Sequence, residues 1–376
     1  MSVLGTILAF LAVLVVLVVV HEFGHFLAAK RAGITVQEFG VGFPPRIGSV
    51  MWHGTRYSLN WIPLGGFVKM LGEDGESEAQ KMRQAGLSES AVDKAMAGAF
   101  TRRPIWVRIV VLLAGVAMNF LLAGILFAVA LSLPIQQGRG PLTVTEIQAN
   151  SPAVDGRLQV GDVLMAADGR TFTISRDMTA YLRSRAGHSV ALTVRRRGVD
   201  LTLAVQPRSL TADQEAQGLG AVGFSYEPER FVEVPSSVDG PLAAIGQGFV
   251  AVRDLAVQIP GGLATAVGGL LGLNSSAGTA VGPIGIAEET GRVLGAPLVS
   301  QLIFVGILSV NLAVLNLLPV PVLDGGQFIF LLGEAILRRP LSAKLRERLT
   351  MVGLFLLLLL MILAFSNDIR RWLGLI

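Results

Sequence analysis

From Val3 to Val20 the chain carries no charged side chain. After His21-Glu22-Phe23-Gly24-His25 the apolar run resumes as Phe26-Leu27-Ala28-Ala29, and it stops at Lys30-Arg31. A run of this length crosses the ~30 Å hydrocarbon core of a bilayer as a helix. In that medium a single segment can satisfy its own backbone polar groups only as a helix. Two histidines and a glutamate inside such a span are costly there, and polar groups at membrane depth mark functional sites. On one helix His21 and His25 share a face, so the pair can grip one metal ion with Glu22 beside it as a general base. At ~1.5 Å per residue, His25 lies ~7–8 Å and His21 ~13–14 Å from Lys30, below the membrane surface. H-E-x-x-H fixes only three residues and recurs by chance in soluble helices. Its place inside an apolar span is what gives it weight.

Three more segments are long and apolar enough to span: Ile105–Leu133, Pro297–Val320 and Thr350–Phe365. With 52% apolar and only 15% charged residues in 376, the composition is that of an integral membrane protein with a soluble part. A fifth apolar stretch, Leu242–Leu273, is interrupted by Arg253-Asp254 and Pro260-Gly261-Gly262, and reads as an interfacial or amphipathic helix. Basic residues flank the spans: ten between 30 and 103, five between 338 and 349. The positive-inside rule puts both segments in the cytoplasm, so both termini and the long loop 134–296 face outward. The net charge of +4 therefore reads as an orientation signal, not as a nucleic-acid surface. With no cysteine, disulfides and thiolate ligands are excluded, and His and carboxylate remain as zinc ligands.

Between the first two spans, Gly40-Val-Gly-Phe-Pro-Pro and Trp61-Ile-Pro-Leu-Gly-Gly punctuate short β-like runs such as Arg56–Trp61. This is either a cytoplasmic β-meander or a hairpin dipping into the membrane. Within the long loop, residues 139–208 resemble a PDZ domain, chiefly through Gly161-Asp-Val-Leu-Met-Ala-Ala-Asp-Gly169 and a closing hairpin around Arg195-Arg196-Arg197-Gly198. Such a module can bind peptide C-termini or extended segments at a sheet edge, and the three arginines read as a solvated hairpin tip. Residues 209–240 read as linker. Gly261–Gly282 lacks the lysine and strand-to-helix context of a phosphate loop, so no ATP site is expected.

The third span ends in Asn316-Leu-Leu-Pro319-Val-Pro321-Val-Leu-Asp324-Gly325-Gly326. Prolines spaced by one residue cannot continue a regular helix, so the backbone opens there. Asp324 is either a helix cap or a third metal ligand, and His2Asp leaves the fourth tetrahedral position for water.

These two motifs resemble those of the site-2 protease family of intramembrane zinc metalloproteases, in the bacterial form that carries PDZ modules. Gly282-Pro-Ile-Gly-Ile-Ala and Ala114-Gly115 followed by Asn119-Phe120 add to the resemblance, which covers essentially the whole chain. It implies zinc held by His21, His25 and Asp324, Glu22 as base, and Asn316 holding the substrate backbone or oxyanion. It also implies that the 40–70 segment is a membrane-re-entrant β element presenting an edge to substrate. The implied substrates are single-span proteins of the inner membrane, such as anti-sigma factors or signal-peptide remnants. Two departures stand out: one PDZ-like module where relatives often have two, and Val116 where a proline is expected.

The expected fold is therefore a polytopic α-helical membrane protein with about four transmembrane helices, a membrane-associated β element and one extracytoplasmic PDZ-like domain. Its parts are 1–133 with H-E-x-x-H, the PDZ-like 139–208, a linker and amphipathic segment 209–296, and 297–376 with the second motif. Two rival classes are a membrane-anchored PDZ scaffold or chaperone with a non-catalytic metal site, and a metal transporter. A transporter would need polar groups spread along several spans.

Overall fold

A computed structural model describes residues 3–73, 77–210, 220–236, 238–271, 273, 282–339 and 341–373. They form two units, Met1–Ser132 with Val238–Ile376, and Leu133–Ser237.

The first unit opens on helix α1 (Val3–Arg31). Gly33, at φ +68°, ends it: the Gly33 N–H donates to Lys30 O at 3.1 Å and the Ile34 N–H to Ala29 O at 2.9 Å. A residue in this left-handed region turns the chain back so that the last helical carbonyls are satisfied. Strands β1 (Val36–Trp52) and β2 (Thr55–Met70) follow. They pair in two places. Residues 46–52 pair with 55–60 across the His53-Gly54 turn. Residues 38–41 face 56–59 on one side and 66–69 on the other. The hairpin is thus a small sheet in the order 46–52, 55–60, 36–41, 66–70. Its first segment exposes Ile47, Val50, Met51 and Trp52. Short helices α2 (Ser77–Gln84) and α3 (Glu89–Ala95) pack around Val92 and Met96. Helix α4 (Ile105–Ser132) runs through Val116 without a break.

The second unit contains β3 (Ile135–Ile147), α5 (Pro152–Asp155), β4 (Val163–Ala167), β5 (Arg170–Thr171), α6 (Ser175–Ser184), β6 (Val190–Arg196), β7 (Val199–Val205) and β8 (Phe224–Val234). The sheet order is β7-β6-β4-β3-β8, with β5 on β4. Its core holds Leu142, Leu164, Met178, Leu192 and Val194. Two sequence readings are corrected here. Phe224–Val234, read as linker, is an edge strand paired with β3 along its length. The arginine hairpin is not simply a solvated tip: Arg195 pairs with Asp200, and Arg196 holds the fully buried Asp162 through two 2.7 Å hydrogen bonds.

The first unit resumes with α7 (Pro241–Leu270), α8 (Pro283–Val293), α9 (Leu298–Leu317), α10 (Asp324–Leu337) and α11 (Ala343–Trp372). The expected interruption of the 242–273 stretch does not occur. Helix α7 continues through Pro260, and Arg253 and Asp254 pair with each other at 2.7 Å. Packing of Val252 and its neighbours against Ala123 and Phe127 of α4 holds it. Among the described residues five helices are long and apolar enough to cross a membrane: α1, α4, α7, α9 and most of α11. Their outward faces are apolar, as at Ile7, Ile125 and Phe355. Such surfaces suit lipid and would be an aggregation hazard in water. The chain is a multi-pass membrane protein.

Candidate metal centre

On α1 the residues His21, Gly24 and His25 are all buried, on the face turned to α4. The contact is close because it lacks side chains: a Cβ on Gly24 would overlap the Ala114 carbonyl, and one on Gly115 would overlap the His25 ring. The Ala114-Gly115 pair thus lets the two helices approach until α4 reaches both imidazoles. His25 Nδ1 lies 2.9 Å from the Val111 carbonyl, which fixes Nδ1 as the protonated nitrogen and frees Nε2. His21 Nδ1 lies 3.3 Å from the Asn119 side-chain amide. Asn119 is fully buried, and its Oδ1 has no partner. Amide oxygen and nitrogen are assigned from the hydrogen-bond network. Exchanging them lets the Nδ1–H of His21 donate to Oδ1 and frees His21 Nε2 as well. Asn119 is held from behind by Ser309, whose hydroxyl donates to the Asn119 carbonyl at 2.8 Å.

The third component arrives from α10. Helix α9 stops at Leu317, the Pro319-Val-Pro321 turn reverses the chain, and Asp324 is the first residue of α10. A methyl on Gly325 or Gly326 would overlap backbone atoms of Leu317, Leu318 or Val320. The glycine pair therefore lets the turn fold tightly on the helix start. Asp324 aims its carboxylate across the interface instead of capping its own helix. Its Oδ2 lies 2.9 Å from His21 Nε2 and 3.3 Å from His25 Nε2, and the two Nε2 atoms are 3.1 Å apart. A tetrahedral ion with ~2.0–2.1 Å bonds has ligand atoms ~3.3 Å apart, so this buried N2O triangle fits a zinc-sized cation.

Glu22 is half-buried beside this triangle, next to the small sheet. A Cβ on Gly66 would come within 3.6 Å of the Glu22 Cγ, and the Val68 N–H reaches the Glu22 carboxylate. Residues 66–70 form the outer segment of that sheet, with no further strand paired to it among the described residues, so a strand edge passes directly beside Glu22. Asn316 is half-buried on the last turn of α9 and is not one of the three converging residues. The sequence reading did not assign a role to Val111 or Asn119. Asn119 was visible only as part of a motif, and a backbone carbonyl leaves no sequence signal.

Comparison with known proteins adds the following. The model of a family described as peptidase family M50 matches residues 9–360. A chain of Agrobacterium fabrum named "Putative zinc metalloprotease Atu1380" is 35% identical over 98% of this chain and 97% of its own. Metalloprotease MmpA of Caulobacter vibrioides is 30% identical over 97% of this chain and 96% of its own. The regulator of sigma-W protease RasP of Bacillus subtilis is 28% identical over 98% and 99%.

Proposed function

The chain belongs to peptidase family M50, and from that premise we propose that it is a zinc-dependent endopeptidase cutting single-span membrane proteins within the bilayer. One observation carries the residue assignment. His21 Nε2, His25 Nε2 and Asp324 Oδ2 converge from two distant parts of the chain, with both imidazoles oriented by α4. We assign these three as the zinc ligands. Zinc held by these residues would supply Lewis-acid polarisation of the scissile carbonyl and make a nearby water molecule far more acidic. Glu22 takes the proton of that water and delivers it to the leaving amine. Asn316 holds the substrate backbone or the developing oxyanion, a role worth ~2.7–4 kcal/mol per donor.

A helical substrate keeps its carbonyls in its own hydrogen bonds and has to unwind before it can be cut. The edge at 66–70 has its Val68 N–H held by Glu22 and its Met70 N–H held by Glu73. It would offer replacement hydrogen bonds once a substrate strand displaces those carboxylates, which supports a role in holding the unwound strand. Membrane-anchored regulators such as anti-sigma factors, and signal-peptide remnants, are substrates of the right form.

The second unit is proposed to act as a PDZ-like module that takes an extended peptide. Among the described residues one edge of strand β8 has no strand paired to it. A cavity of about 240 Å³ lies between α6 and residues 220–226. Four crossings, through α1, α4, α9 and α11, suit the packing of both ends of the chain on α8. Gly291 abuts Thr6 near the start of α1, while the Asp368 carboxylate accepts the N–H groups of Gly282, Ile284 and Gly285. Both ends then lie on one side, which requires an even number of crossings. With the basic connections in the cytoplasm, the second unit faces outward from the inner membrane and the site lies toward the cytoplasmic side. The test is Glu22→Gln in the full chain with a single-span reporter. Cleavage is abolished while zinc content stays at one ion per chain. Loss of zinc, or cleavage that persists, overturns the assignment.

A further inference from the structure

Along the α1–α4 contact, lined by none of the three converging residues, runs a groove of about 680 Å³. Its wall is apolar along most of its length, from Leu121 and Met118 to Val107, and its floor lies over Gly24 and Ala114. One end differs in chemistry. Arg31 and Arg103 line it, with Trp106 beside them, about two-thirds exposed. Among the described residues no carboxylate pairs with either arginine. Arg31 has no hydrogen-bond partner there, and Arg103 donates only to the Gly33 carbonyl. The Arg103 Nε is buried with no partner at all. Most other arginines of the first unit with buried or half-buried surroundings are matched, as Arg108 is by Glu334.

We propose that this groove binds one anionic phospholipid, its phosphate between Arg31 and Arg103 and its acyl chain along α4 toward Leu121. The dimensions agree. Trp106 to Met118 is twelve residues of helix, or ~18 Å, close to half of the ~30 Å hydrocarbon thickness and so to one leaflet. Tryptophan belongs at the headgroup level, where its ring is apolar and its N–H is wet. Guanidinium groups form bidentate hydrogen bonds with phosphate oxygens, and two of them complement a net negative headgroup better than a zwitterionic one. Basic pockets between membrane helices take anionic headgroups in this way. Annular lipid alone would cover the apolar wall, but it leaves both cations without a counter-charge.

The test is native mass spectrometry of the full chain in detergent, offered phosphatidylglycerol or phosphatidylcholine of identical acyl composition. Wild type retains one phosphatidylglycerol in preference to phosphatidylcholine. Arg31→Gln lowers that preference about fivefold, and Arg31→Gln/Arg103→Gln lowers it further. Arg102→Gln, whose side chain pairs with Asp93 outside the groove, leaves it unchanged. Ala117→Trp fills the exposed apolar wall with both arginines intact, and also releases the lipid. Equal retention of the two lipids by wild type, or undiminished retention in the double variant, overturns the proposal. So does full retention by Ala117→Trp, or displacement by inorganic phosphate alone, which would leave an anion site without an acyl chain. Displacement by an uncharged single-span peptide would make the groove a helix-docking surface and overturn it equally.

Discussion

Gly115 is the position at which the proposed metal centre is most sensitive to a single methyl group. In Gly115→Ala the new Cβ would stand 2.7 Å from His25 Cε1 and 2.8 Å from Cδ2. Optimal carbon–carbon separations begin near ~3.5 Å, so the ring or the helix has to yield by ~0.7–0.8 Å. The ring has little room to turn. Its Nδ1 is held 2.9 Å from Val111 O, and its Nε2 faces His21 Nε2 at 3.1 Å. Helix α4 cannot back away freely either, because Ala123 and Phe127 of the same helix are packed against Val252 of α7 and Val310 of α9. A metal centre tolerates ~0.5 Å of misplacement, and disturbing the groups that orient a ligand costs ~10–100-fold in affinity. That corresponds to ~1.4–2.8 kcal/mol. The assay is competition for zinc against a chelator of known affinity, with reporter cleavage measured at saturating zinc. Gly124→Ala is the control: its methyl meets the flexible, partly exposed Phe249 ring, and it should weaken the helix packing without moving zinc affinity. Wild-type zinc affinity and cleavage in Gly115→Ala would refute the reasoning.

Three further outcomes are expected. Asn119→Ala removes the group that orients His21 and lowers zinc affinity ~10–100-fold, with the helical circular dichroism unchanged; unchanged affinity would remove Asn119 from the site. Glu334→Ala leaves Arg108 buried against Phe100 without its 3.1 Å partner, and costs ~3–5 kcal/mol in unfolding from detergent. Arg108→Met/Glu334→Leu recovers most of that loss, and a double variant as unstable as the single one would contradict it. In the second unit, burial pushes the Asp162 carboxyl up, yet the hydrogen bonds and charge of Arg196 and the Gln159 N–H outweigh it and hold Asp162 below the usual carboxylate value. A group depressed in this way stabilises the fold above its unfolded pKa of ~3.9, and that stability is lost as pH falls through the lower folded value. The protection of the β4 and β6 amides against hydrogen exchange, relative to their intrinsic rates at each pH, should therefore fall below about pH 4 in the full chain. Asp162→Asn should lower it at neutral pH, and a flat acid profile in the wild type would contradict the linkage.

Parts of this were legible in the chain because they depend on local periodicity. Val3–Ala29 had to be a helix from its length and lack of charge, and His21 and His25 had to share a face at a spacing of four. Pro319 and Pro321 had to open the backbone before Asp324. Other parts were misjudged for equally local reasons. Pro260-Gly261-Gly262 looked like a break, but one missing N–H does not end a helix that is packed on α4. Phe224–Val234 alternates polar and apolar residues as a strand should, yet lone edge strands carry a weak signal, and pairing with β3 decides it.

What the sequence by itself determined is the inventory of the candidate site: two imidazoles and two carboxylates, all in or beside apolar spans. Spacing fixes which residues share a helix face. Only the tertiary structure decided that residues 303 apart in the chain meet within 2.9 Å, and that α4 sets both imidazoles through a backbone carbonyl and a buried amide. It also decided that a strand edge runs past Glu22. The reason is physical. Convergence depends on how closely helices can approach, and that is set by missing side chains at Gly24, Gly115, Gly325 and Gly326, which have meaning only once their opposing surfaces are in place.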